Sequence, residues 1–212
     1  WADGFLSLRY ALLGFSGLLL WHISTQLLND YYDYKSGIDL HTQRTTFSGG
    51  SGILPSHMLE AKSVFRLGLI CFVLAIPIWV YLIMESGIGL FPLFVAGAIC
   101  VWLYTPLLAK WHVAEITSGI GLGFLPIMMF YFVQTGSYSA KGVVAAIASG
   151  ILVFGLHLAN EFPDIEADKM GGRRTLPIVM GPLRAGIVYA ASSAFFCAWV
   201  VSCAVVGIMP WA

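Results

Sequence analysis

Trp21-His22-Ile23-Ser24-Thr25-Gln26-Leu27-Leu28-Asn29-Asp30-Tyr31-Tyr32-Asp33 carries a long apolar run straight into an acidic signature. The event recurs where the run ending His157-Leu158-Ala159 meets Asn160-Glu161-Phe162-Pro163-Asp164. Both signatures read amide, acid, aromatic, any residue, Asp. Of eleven carboxylates in the chain, Asp30, Asp33, Asp39, Glu161, Asp164, Glu166 and Asp168 crowd into these two places. Charged residues make up only 10% of the sequence, so this concentration needs positive charge held between the clusters.

Outward from the signatures the chain is membrane material. Hydrophobic residues make up 58% of it and the mean hydropathy is +0.83, far from a soluble domain. Six apolar stretches, roughly 5–28, 63–84, 88–108, 113–135, 140–160 and 181–208, are each long enough for a hydrocarbon core about 30 Å thick. Unalternating segments of this kind satisfy their backbone as helices. The predicted fold class is therefore all-α, a polytopic transmembrane helical bundle forming one domain over 1–212. Pro77, Pro92, Pro106, Pro126 and the glycines of 119–123 suit close-packed, locally kinked membrane helices. No basic stretch precedes a short apolar run, so no signal-peptide pattern is present.

Zero net charge conceals an asymmetry. The loops after the first, third and fifth spans, with their flanks, hold Lys35, Arg44, Lys62, Arg66, Lys110, Lys169, Arg173, Arg174 and Arg184, against Arg9 and Lys141 on the other side. The positive-inside rule puts the first group, and both acidic signatures, on the cytoplasmic face of the cell membrane. Cys71, Cys100, Cys197 and Cys203 fall within spans without a C-x-x-C pair and read as small apolar residues. No basic run or recognition motif points to nucleic acid, and nothing points to a protein partner.

Spacing by three and four residues puts His22, Gln26, Asn29, Asp30 and Asp33 on one helical stripe, and His157, Asn160, Glu161, Asp164 and Asp168 on a second, with Pro163 kinking it or starting a new turn. Facing carboxylates of this kind suit a hard divalent cation. Mg2+ in particular takes one or two carboxylates and completes its shell with water and phosphate oxygens. Lys35, Arg44, Lys62, Arg173 and Arg174 are placed to clamp a diphosphate. A single acidic cluster at a span's end is more often a solvated helix cap; two copies on one face are not. His22 and Gln26 divide evenly between helix–helix hydrogen bonding and lining a site. Glu115 sits near the start of a span and is expected to face the interior, in either a structural or a catalytic role. Tyr104, Phe130, Tyr131 and Phe132 read as packing before cation stabilisation.

These motifs resemble the UbiA superfamily of intramembrane prenyltransferases, whose hallmarks are N-D-x-x-D-x-x-x-D and D-x-x-x-D on cytoplasmic loops. Asp164-Ile165-Glu166-Ala167-Asp168 matches the second in full. Asn29, Asp30 and Asp33 match the first, but Gly37 takes the third Asp's place and the acid comes at Asp39. That form, with Thr46-Phe47-Ser48-Gly49-Gly50-Ser51-Gly52 and Gly172-Arg173-Arg174-Thr175-Leu176, resembles the branch that prenylates 1,4-dihydroxy-2-naphthoate in menaquinone synthesis. An N-x-P-x-R-P-type stretch, expected of other branches, is absent.

The resemblance implies Mg2+-dependent transfer of a polyprenyl group from its diphosphate to an aromatic acceptor at the lipid bilayer. By it, Asn29, Asp30 and Asp33 hold one ion, and Asn160, Asp164 and Asp168 a second. It also implies nine membrane helices, so one is expected before residue 1 and about two after residue 212. The alternatives are another acceptor (4-hydroxybenzoate or a glycerol-phosphate lipid) or, from a different class, a cation-coupled transporter. The transporter predicts acids at mid-membrane depth on oppositely oriented repeats.

Overall fold

A computed structural model of the chain describes residues 6–42, 50–108, 111 and 113–208. Regular structure among them is helical. Six apolar helices carry the fold: α1 (Leu8–Ser36), α3 (Ala61–Ser86), α4 (Leu90–Leu103), the run α5 (Ala114–Ser118) to α6 (Leu125–Thr135), α7 (Ala140–Glu161) and α10 (Pro182–Val205). The short helices α2 (Ile38–His41), α8 (Ile165–Met170) and α9 (Leu176–Met180) sit in the connections. Five of the six apolar helices are long and apolar enough to cross a membrane.

Two expectations change. The polar connection expected from residue 29 begins later, because α1 runs on to Ser36 and carries the first acidic signature on its last turns. The span expected over 88–108 gives a helix of only 14 residues, about 21 Å at 1.5 Å per residue. Pro106 lacks an N–H and disfavours helical geometry at Thr105, so α4 stops at Leu103. Tyr104 and Thr105 are thereby left to turn toward the acidic signatures.

Helix α1 packs along α3, with α4 and α6 against both; α7 lies on the α5–α6 run, and α10 packs on α7. The core is aromatic. Trp21 meets Trp79 at 5.4 Å between ring centroids, and Phe94 at 5.5 Å. These indoles fit because glycines face them: a Cβ on Gly97 would lie 2.6 Å from Trp21, and one on Gly17 3.0 Å from Trp79. One buried hydrogen bond ties the pair, from the Ser24 hydroxyl to the Gly68 carbonyl at 2.8 Å.

Between α5 and α6 the backbone widens into a π-helical stretch, Gly119–Phe124. Here the chain meets α7 backbone to backbone. A Cβ on Gly123 would lie 2.6 Å from the Gly150 Cα, and one on Gly119 2.8 Å from the Gly150 carbonyl oxygen. Small residues four apart allow this approach, as at other membrane-helix crossings. The seam fixes α7, and so the second acidic signature, against the α5–α6 wall.

Candidate active site

The first signature is aimed by the way α1 ends. Gly37 caps the helix at φ +85°, a left-handed conformation that a residue with a Cβ adopts only under strain. The position where the family motif has a third Asp is here a turn that requires glycine. Directly after it α2 starts, and Asp39 comes to lie buried on the same cavity as Asp30 and Asp33. Ile38 packs on Gly171, where a Cβ would lie 2.0 Å from the isoleucine side chain, so the two signature regions are in contact.

The second signature breaks at Pro163. Helix α7 ends at Glu161, a turn covers 162–164, and α8 restarts with Asp164 at its N-cap and Asp168 in its body. His157, Asn160, Asp164 and Asp168 still line one cavity with Asn29, Asp30 and Asp33. Glu161 leaves the expected stripe: it is 5% exposed and absent from the cavity wall, where it meets His157 at 3.1 Å and the Glu115 carboxyl. His22 is also off the wall but exposed, whereas Gln26 lines it.

The cavity has a volume of about 630 Å3, and one guanidinium closes its acidic floor. Arg173 Nη2 donates to both Asp33 carboxylate oxygens at 2.5 Å and to Asn29 Oδ1 at 3.4 Å. Its Nη1 donates to Asp168 Oδ1 at 3.2 Å. A carboxylate from each signature therefore shares one arginine across 140 residues of sequence. Asn29 is fixed in turn, accepting from the Thr105 hydroxyl at 3.0 Å and donating to Asp33 Oδ2 at 2.8 Å. The Ser51 hydroxyl donates to Asp30 at 2.5 Å, so the end of the glycine-rich stretch folds over the first signature.

Of the other expected phosphate clamps, Lys35 lies over the Tyr31 ring at 5.4 Å, and Lys62 lines a separate shallow groove with Tyr34 and His57. Arg174 is exposed and does not line the cavity. Arg44 lies outside the described residues. Ser51, Thr105 and Arg173's bridging geometry went unread in the sequence, and Asp39, read there as the displaced acid of the first motif, was given no place in the site. For Asp39 a signal existed, since an acid two residues beyond a capping glycine re-enters the helix end.

Charge at the floor is unbalanced. Asp30, Asp33, Asp39, Asp164 and Asp168 line the cavity, and Arg173 is the basic residue among its described lining that is permanently charged. Burial pushes the Asp168 carboxyl up to about 6; Arg173 opposes this, while Asp33 and Asp164 add to it. Burial also raises Asp164, against the pull of Arg173, and its Oδ1 is buried without a hydrogen-bond partner. Such a floor fits hard cations. Among the described residues no three His, Cys, Asp or Glu side chains converge on one point, so the protein donors come sparsely. Sparse carboxylates with room for water and phosphate suit Mg2+ better than a calcium or zinc cage.

Apolar helices long enough to span a bilayer, with both acidic signatures on one cavity, mark a multi-pass integral membrane protein. The chain belongs to the UbiA prenyltransferase family, whose model matches residues 1–212. It is 36% identical over 197 residues to the 1,4-dihydroxy-2-naphthoate octaprenyltransferase of Bacillus subtilis (strain 168), covering 91% of this chain and 62% of that one. It is 30% identical over 173 residues to the UbiA prenyltransferase domain-containing protein 1 of Rattus norvegicus, covering 79% of this chain and 49% of that protein. The chain thus spans about half to three fifths of the length of these relatives. Its fold matches that of a UbiA homolog from Archaeoglobus fulgidus, solved bound to DMAPP and Mg2+, with a TM-score of 0.72 at 20% identity over 93% of this chain and 68% of that one.

Proposed function

We propose that the protein transfers a polyprenyl group from prenyl diphosphate to 1,4-dihydroxy-2-naphthoate, a step of menaquinone synthesis, on the cytoplasmic side of the membrane. The observation that carries this reading is the convergence of both acidic signatures on one cavity, close enough to share Arg173. The named activity of the Bacillus subtilis relative and the Gly37–Asp39 form of the first motif support the acceptor. The DMAPP and Mg2+ bound by the Archaeoglobus fulgidus homolog support the donor and the ion.

Asn29, Asp30 and Asp33 would hold one Mg2+, and Asn160, Asp164 and Asp168 a second. Ions held there would supply charge neutralisation for the diphosphate and for the charge that builds on it as it departs. The chain's own residues do the rest. Thr105 and Asn29 hold Asp33 in one rotamer, so the first motif is preorganised. Arg173 lies at the floor with donors suited to phosphate oxygens. Val101, Cys100 and Leu122 on the cavity wall give the reacting carbon an apolar surround, which keeps water from a cation-like centre.

Purified full-length protein incubated with Mg2+, labelled octaprenyl diphosphate and a set of acceptors tests the reading. Prenylated naphthoquinol is the expected product. Transfer only to 4-hydroxybenzoate or to glycerol phosphate would overturn the acceptor, and transfer to none would overturn prenyl transfer.

Asp168 also ties the ion to stability. Its carboxyl titrates near 6 in the fold, above its unfolded value, so its contribution is present below pH 4 and is lost as pH rises through 6. Metal-free protein should therefore melt lower at pH 7.5 than at pH 5. Added Mg2+ should raise the melting temperature by several degrees at pH 7.5 and hardly at all at pH 5. Thermal denaturation with Mg2+ or with EDTA measures both.

A further inference from the structure

His157 lines the cavity one turn before Asn160 on α7, and the transfer chemistry described so far makes no use of it. Its Nε2 lies 2.7 Å from the Tyr104 hydroxyl and 3.1 Å from Glu161 Oε1. The Ser118 hydroxyl donates to the Tyr104 oxygen at 3.2 Å, which leaves the phenolic hydrogen to point at Nε2. A row of donors, Ser118 to Tyr104 to His157, thus ends on an imidazole nitrogen free to accept a proton. The two rings meet edge to face at 5.9 Å, which holds the imidazole in this orientation.

Behind the imidazole lie two buried carboxyls, Glu161 and Glu115, packed against each other. Both Glu161 carboxyl oxygens are buried without a hydrogen bond, as is Glu115 Oε2, while Glu115 Oε1 accepts the Leu176 N–H. The groups facing His157 are Tyr104 beyond α4, Ser118 and Glu115 on α5, Glu161 on α7, and Arg173 beyond α8. Among the described lining residues the alternatives are poor bases here. The acids are engaged at the ionic floor, Arg173 is held by two of them, and Cys100 and Tyr104 are weak acids at neutral pH.

We propose that His157 accepts, through the Tyr104 hydroxyl, the proton that a phenolic acceptor releases as it is prenylated. This rests on the prenyl-transfer reading above. The carbon–oxygen bond to diphosphate breaks with its electron pair leaving on the phosphate oxygen, and the ring's π electrons form the new carbon–carbon bond. The acceptor's ring hydroxyl becomes a carbonyl and passes its proton to the Tyr104 oxygen, while the tyrosine's own proton moves to Nε2. Aromaticity returns when the carbon that was alkylated loses its hydrogen to that carbonyl, or its carboxyl as carbon dioxide with a solvent proton restoring the hydroxyl. Proton transfer by a positioned base of this kind contributes about 10²–10⁴-fold.

The test uses full-length protein in lipid nanodiscs, the variants His157→Gln and His157→Ala, labelled prenyl diphosphate, Mg2+, and phenolic acceptors graded from weakly to strongly acidic. The variants should bind prenyl diphosphate within about threefold of the parent, and transfer at saturation should fall about 10²-fold. The deficit should shrink as the acceptor hydroxyl becomes more acidic, and added imidazole should restore part of the His157→Ala rate. Unchanged transfer rates overturn the proposal. So does an equal loss on every acceptor with no imidazole rescue, which would make His157 a packing residue. Weakened donor binding with transfer intact at saturation also overturns it, by moving His157 to the ionic floor. If the parent protein binds prenyl diphosphate but alkylates no acceptor, prenyl transfer itself falls and this proposal with it, a result distinct from any confined to the variants.

Discussion

Asp33→Ala and Asp164→Ala should each lower Mg2+-dependent prenyl transfer by about 10³-fold, the scale expected when a preorganised charge-stabilising group is removed. The two acids come from different signatures, yet the expected loss is the same, because a diphosphate held from one side only is not positioned for departure. Asp33 is 5% exposed and is oriented by Arg173 and Asn29, so alanine removes a fixed carboxylate. Asp164 offers a buried oxygen that no protein donor satisfies. Glu166 is the internal control. It lies inside the second motif, but its side chain is 84% exposed and paired with Lys169 at 2.9 Å. Glu166→Ala should leave turnover within about twofold, as surface changes generally do. Rates of labelled diphosphate release decide the matter, and near-normal turnover in either Asp variant would end the paired-site scheme.

The second large effect is on folding. At Gly123 a new Cβ meets the Gly150 Cα at 2.6 Å and the Ser149 carbonyl oxygen at 2.7 Å, both backbone atoms that cannot rotate away. Gly123→Val therefore has to push α7 off the α5–α6 wall. Overpacking of this kind costs about 3 kcal/mol, a fall of roughly 10 °C in melting temperature for a chain of this size. Gly186→Ala on α10 is the matched control, since nothing lies within 4 Å of the added methyl. It should be neutral or slightly stabilising, because alanine is the better helix former. Thermal unfolding monitored by tryptophan fluorescence separates the two. A Gly123→Val protein as stable as the parent would show that the seam gives way freely.

Much of this molecule was legible from spacing alone, and what escaped has a common cause. The apolar segments and the two acidic signatures are local patterns, so composition and helical periodicity find them. The choice of Arg173 over Lys35 and Lys62 is not local. All three are basic residues near a span's end, and only the path of the chain after α8 brings one of them between Asp33 and Asp168. Asn29's dependence on Thr105 follows from the early stop of α4, which Pro106 announces but whose reach into the site requires α4 to lie beside α1. Glu161 escaped for a different reason. A strict three-and-four count keeps it on the stripe, but α7 ends at that residue and buries its carboxyl against Glu115. Gly37 shows the reverse case: an apparent defect in a motif is a correct local signal, that of a left-handed helix cap.

Arg173 gives the cavity the character of an ion exchanger with its counter-ion tethered to the resin. Before any ligand arrives, one acid from each half already shares its guanidinium, while Asp30, Asp39 and Asp164 on the same wall are left for other cations. On the proposed reading, loading would be a swap rather than an addition: incoming cations would take over the carboxylates, and the guanidinium, still on its leash, would turn to the anion that came with them.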